Sequence, residues 1–147
     1  DGIPYELISK ALPTIEGAVN DILSQIVDFS MILEMDGKNI NCYIVYDDDN
    51  VWPLELSSGM ERFISSLAIR VGLINVSNLP RSNFLAIDEG WGTMDSDNIN
   101  SVYSLFQYLK SQFQFALIVS HIDSMRDAVD SLLEIKKEGN YSNINYA

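Results

Sequence analysis

The sequence predicts an α/β fold built on a parallel βαβ core, and three observations predict it. Residues 84–88, Phe-Leu-Ala-Ile-Asp, form a wholly apolar run up to its last residue, and 115–121, Phe-Ala-Leu-Ile-Val-Ser-His, form a second run apolar on every side. Strands without polar alternation are those of parallel sheets covered on both faces. Between them, residues 96–112 carry Ile99, Val102, Leu105, Phe106 and Leu109 at helical spacing, so the order is strand, helix, strand. In such sheets ligands bind beyond the carboxyl ends of the strands.

The remaining elements follow in chain order. Ile15, Val19, Ile22, Leu23 and Ile26 make one apolar stripe on a helix over residues 13–27, with Pro13 in its first turn. Asp36-Gly37 is a hairpin turn between β-rich runs, and Ile40, Cys42, Ile44 and Tyr46 alternate with more polar neighbours. Asp47-Asp48-Asp49 reads as a solvated loop, because a calcium loop needs alternating oxygen ligands and a following Glu at set spacing. From Gly59 a helix presents Phe63, Leu67, Val71 and Ile74 on one face, and residues 131–137 form a further strand. There is no internal repeat, low-complexity tract or linker, so the 147 residues read as one domain.

Composition narrows the function classes. No apolar run reaches the roughly 18 residues of a membrane span, and the start DGIPYELISK lacks a signal-peptide pattern. Cys42 is the only cysteine, which excludes an internal disulfide and a cysteine-built zinc site. The expectation is a soluble intracellular protein, cytoplasmic or nuclear. The 21 acids against 9 bases give a net charge of −12, which disfavours direct phosphate binding by the isolated chain.

The chemistry concentrates in four places. "FLAIDEGWGTMD", residues 84–95, ends an apolar strand in Asp88 and Glu89. This matches the Walker-B pattern of nucleotide triphosphatases, in which the first carboxylate holds Mg²⁺ and the second orients and deprotonates water. A strand-end Asp that caps the following turn and a solvated Glu explain the same pair. In "LELSSGMERF", Leu56-Ser57-Ser58-Gly59 precedes a long helix, gathering hydroxyls and backbone N–H groups at a positive helix end. Ordinary capping by Ser57 or Ser58, with Glu61 completing a capping box, explains the same residues. The only histidine, His121, follows Ser120 at the end of the strand expected beside Asp88-Glu89. Asp95 lies seven residues after Asp88, where it also suits an N-cap for helix 96–112.

In this order, LSSGMER, FLAIDE, GTMD and SH resemble the signature, Walker B, D-loop and switch histidine of the carboxyl-terminal half of an ABC-type ATPase head. The resemblance covers residues 54–123. Within that superfamily the chain is similar to the SMC and SbcC-like group of coiled-coil DNA-repair and chromosome-maintenance ATPases. The 32 residues from Leu56 to Asp88, the Gly-Trp-Gly entry at 90–92 and the helix "SSLAIRVGL" favour that group over membrane transporters. Two departures stand out: LSSG replaces LSGG, and Met60 stands where Gln or Glu is common. Arg70 is, by the same match, a residue for coupling the signature helix to its neighbours, or simply a solvated helix arginine.

No G-x-x-x-x-G-K-[ST] occurs, and the only Gly-Lys pair, Gly37-Lys38, sits in the hairpin turn. Without that loop the chain has no cradle for phosphates, so the isolated chain is expected not to turn over ATP. The resemblance therefore implies a carboxyl-terminal lobe completed by an amino-terminal P-loop lobe. Residues 1–27 would return from a coiled coil, 28–55 form the hairpin region, and 56–147 the signature, Walker B, D-loop and switch-histidine core. It further implies ATP and Mg²⁺ as cofactors, with Asp88 for the metal, and Glu89 and His121 as catalytic residues. Ser57, Ser58, Gly59 and Asp95 would meet nucleotide in a head-to-head dimer. Implied partners are a metallophosphoesterase-type nuclease subunit and DNA bound by the complete complex, with no membrane. Alternatives are a chromosome-maintenance head, a transporter-type ATPase domain, an idle module of ABC shape and, last, a RecA-like or AAA-type core.

Overall fold

Helix α1 (Tyr5–Leu23) begins upstream of the expected start, so Pro13 lies inside it. The apolar stripe extends back to Leu12, which is buried with Val19, Ile22 and Leu23, and this packing offsets the backbone bond that a mid-helix proline forfeits. The computed structural model describes residues 5–78, 80–88, 99–121 and 123–146.

Strands β1 (Ser30–Asp36), β2 (Asn39–Asp47) and β3 (Asn50–Pro53) form an antiparallel sheet in that order. Gly37, at φ 60°, supplies the left-handed turn between the first two. The third strand is too short to show a pattern in the sequence. The acidic run is its turn: Asp47 accepts from the Asp49 N–H at 3.0 Å and from the Asn50 amide at 2.8 Å. At the β1 edge, α1 side chains stand in for a missing strand. Asn20 accepts from the Met31 N–H at 2.8 Å and donates to the Met31 carbonyl at 2.9 Å. Glu16 accepts from the Leu33 N–H at 2.8 Å, so the edge backbone is satisfied where it would otherwise be open.

Helix α2 (Gly59–Val76) buries Met60, Ile64, Leu67, Ala68 and Val71. That face is turned slightly from the one expected, leaving Phe63 and Ile74 half-buried. Small residues on α2 face α1: a Cβ on Gly72 would meet Val19 Cγ2 at 3.1 Å. The close approach of the two helices selects the face.

Strands β4 (Phe84–Asp88) and β5 (Phe115–Val119) are parallel neighbours, with Phe84 opposite Phe115 and Asp88 opposite Val119. Helix α3 (Ile99–Gln112) lies between them in sequence and buries Val102, Leu105, Phe106 and Leu109. After β5, a 3₁₀ stretch (Asp123–Ala128) leads to β6 (Leu133–Glu138), paired with β7 (Tyr141–Tyr146) through Gly139 at φ 65°. β6 lies near the expected 131–137, whereas β7 is an addition to the elements the sequence predicts. Among the described residues no helix is long and apolar enough to cross a membrane.

Candidate functional site

The β4–β5 pair has two unlike faces. Leu85, Ile87 and Ile118 turn into the core, whereas Phe84, Phe115, Leu117 and Val119 turn outward, each 46–58% exposed. The sequence pattern predicts cover on both faces. Here one is covered by the core and the other is an open apolar surface, on which the Phe84 and Phe115 rings stack at 5.4 Å. An aromatic pair on exposed sheet is surface of the kind that a further layer normally covers.

Asp88 closes β4 on this open face, exposed rather than buried. Its register partner is Val119, so Ser120 and the exposed His121 leave β5 at the same end of the sheet. Neighbouring strands are about 4.8 Å apart. The parallel pairing thus brings the acid strand and the histidine strand together, as their sequence order suggests. Glu89 and Asp95 lie outside the described residues, as do residues 90–92.

The second cluster sits on other elements. A short 3₁₀ turn (Leu54–Leu56) delivers the chain to α2, and Ser57 and Ser58 behave differently. The Ser57 hydroxyl donates back to the Leu54 carbonyl at 2.7 Å. Ser58 is the N-cap: its hydroxyl accepts from the Glu61 N–H at 3.2 Å, and its own N–H donates to the Glu61 carboxylate at 2.7 Å. Both halves of a capping box are present. Gly59 and Met60 occupy the first two helical positions, whose N–H groups have no acceptor within the helix. The Met60 side chain is buried, so only its backbone faces the mouth. The turn therefore presents two backbone donors and a serine hydroxyl at the positive end of an 18-residue helix.

Sequence reading misses one member of this cluster. Tyr46 on β2 donates to Glu61 at 2.8 Å. Burial and the hydrogen bond to that carboxylate push the phenol up to about 12. Burial alone would raise Glu61, but the Ser58 N–H, the Tyr46 hydroxyl and the Ser58 hydroxyl hold its carboxyl below the ordinary range. The alternation along β2 groups Tyr46 with its apolar face, yet no sequence signal joins it to a helix fifteen residues on. Arg70, by contrast, is exposed on α2.

Among the described residues no group of three or more His, Cys, Asp or Glu gathers to hold a metal. This donor set suits Mg²⁺ associated with a nucleotide, which takes one or two carboxylates and leaves its remaining positions to phosphate and water. The exposed strand-end Asp88 fits that requirement.

No protein-family model matches the chain. The uncharacterized protein R555 of Acanthamoeba polyphaga mimivirus is 35% identical over 98% of the chain. The SbcC component of the nuclease SbcCD of Pseudomonas aeruginosa is 31% identical over 56% of it. The DNA double-strand break repair Rad50 ATPase of Pyrococcus abyssi is 25% identical over 95% of it. The chain spans only 12%, 7% and 16% of these relatives' own lengths. A chain solved in work on the ATP-driven dimerization and DNA stimulated activation of SMC ATPases superposes with a TM-score of 0.76 at 15% identity, covering 97% of this chain and 88% of that one. That likeness shows the fold.

Proposed function

The chain is the carboxyl-terminal lobe of an SMC- and SbcC-like ABC ATPase head, and from that premise we propose that it supplies the hydrolytic acids and the cross-subunit turn of an ATPase completed by a P-loop lobe. The observation that carries this reading is the open apolar face of β4 and β5, with Asp88 at its carboxyl end and His121 leaving the adjacent strand. A P-loop lobe covering that face brings phosphates to the end of the parallel pair, where Asp88 offers its carboxylate.

In this reading Asp88 holds Mg²⁺, which supplies charge neutralisation at the phosphates when bound. Glu89 accepts the proton of the attacking water, and His121 contacts the γ-phosphate. Ser57, Ser58 and Gly59 belong to the turn that meets ATP bound by a second head, with Ser58 as the serine at the helix mouth, and Asp95 spans the seam between heads. The turn and the acids sit on different elements, which suits two half-sites joined only when heads meet face to face. Heads that close only around the γ-phosphate make ATP a reversible clamp. Residues 1–27 lead back from a coiled coil. The complete protein uses the clamp to regulate binding or processing of DNA ends together with a metallophosphoesterase-type nuclease subunit.

The test is Glu89→Gln in the reconstituted two-lobe head. ATP binding and dimerisation persist while turnover falls at least about a hundredfold, the scale of losing a general base. Unchanged turnover removes Glu89 from the role.

A further inference from the structure

The capping box at Ser58 does not stand alone. Its Glu61 carboxylate is held by both oxygens: one accepts from the Ser58 N–H at 2.7 Å, the other from the Tyr46 hydroxyl at 2.8 Å. Tyr46 belongs to the sheet rather than the helix, and its ring lies edge-on to the buried Phe29 at 6.1 Å. A carboxylate beside an anion-binding turn repels phosphate unless it is kept off the donors and its charge is shared. A tyrosine that fixes it from the side does both.

We propose that Tyr46 is a positioning residue for the phosphate-facing turn. By gripping Glu61 from β2, it keeps Glu61 and Ser58 paired with each other and leaves the Gly59 and Met60 N–H groups to an incoming phosphate. This rests on the reading of that turn as the cross-subunit signature. It adds that the β1–β3 sheet, and not α2 alone, sets the turn's geometry. Glu61 acts as a held spacer and not as a phosphate ligand.

The experiment uses the two-lobe head carrying Tyr46→Phe, which keeps the ring and its contact with Phe29 and removes only the hydroxyl. Amide hydrogen exchange at Ser58 and Glu61 speeds up several-fold. ATP-driven head association weakens about tenfold, because a dimer contains two such turns and each loses roughly threefold from one exposed charged hydrogen bond. Nucleotide affinity of the single head stays unchanged and the melting temperature falls by no more than a few degrees, roughly the scale of one exposed hydrogen bond. A merely structural role instead lowers stability and affinity together. In a Glu61→Ala background, Tyr46→Phe has no further effect on association. Unaltered exchange, or an equal loss of association in both backgrounds, overturns the proposal. Wild-type heads that fail to associate with ATP overturn the signature reading instead, while exchange at Ser58 and Glu61 still decides whether Tyr46 holds the turn.

Discussion

Gly72 and Val19 pack so closely that a single added carbon on Gly72 would lie 3.1 Å from Val19 Cγ2 and 3.4 Å from the Val19 backbone nitrogen. Glycine in a helix interior costs about 1 kcal/mol relative to alanine, so here that loss is offset by bringing α1 and α2 together. Val19 is fully buried and its backbone nitrogen belongs to α1, leaving little room for relaxation. Gly72→Leu therefore destabilises the head by about 3 kcal/mol through overpacking, measured by denaturant unfolding. A stability within error of wild type would show that the two helices can part freely.

The two serines before α2 make different predictions. Ser58 is the N-cap at the helix mouth, whereas the Ser57 hydroxyl is turned back to the Leu54 carbonyl. Ser58→Arg abolishes ATP-dependent dimerisation and leaves nucleotide affinity of the single head intact, because an arginine at the mouth fills the space the opposing phosphate needs. Ser57→Arg disrupts dimerisation too, with the smaller loss. Sedimentation of the heads with and without ATP separates the cases. Dimers formed undiminished by the Ser58 variant would remove this turn from the interface.

Much of the fold is legible in the sequence because it rests on local rules. The apolar runs at 84–88 and 115–119 and the Val102–Leu109 stripe need only periodicity. The hairpin at Gly37 needs only its positive φ. What escapes depends on groups far apart in sequence. Asn20 satisfying the Met31 backbone, and Tyr46 reaching Glu61, are long-range hydrogen bonds with no pattern to announce them. The open face of β4 and β5 escapes for another reason: an apolar strand reads the same whether its cover is in its own chain or elsewhere.

Acid should loosen the start of α2. Glu61 has a carboxyl held below its ordinary 4.5 by Ser58 and Tyr46. A lowered folded value means its stabilisation is fully present above the ordinary value and is lost as pH falls through the folded one. Glu61→Gln keeps the shape without the charge. The stability advantage of wild type over this variant is therefore present at about pH 6 and shrinks towards about pH 3, as thermal melts across that range would read. A gap that widened on acidification would contradict the assigned hydrogen bonds.

The open sheet face supplies the last prediction. Leu117 is 46% exposed and sits between Phe115 and Val119 on the side away from the core. A charge there keeps its water in this lobe alone, so Leu117→Asp costs its fold only about 1 kcal/mol, chiefly through poor strand preference. Covering the same position is another matter, because an unpaired buried carboxylate loses several kcal/mol of hydration. If a P-loop lobe packs on this face, co-expressed lobes carrying Leu117→Asp separate on size exclusion while wild-type lobes travel together. The exposed Ile135→Asp on β6, outside the β4–β5 pair, serves as the comparison and leaves that association in place. Equal co-migration of the Leu117 variant and wild type would mean that the second lobe docks elsewhere, and Asp88 would then lack the phosphates its position calls for.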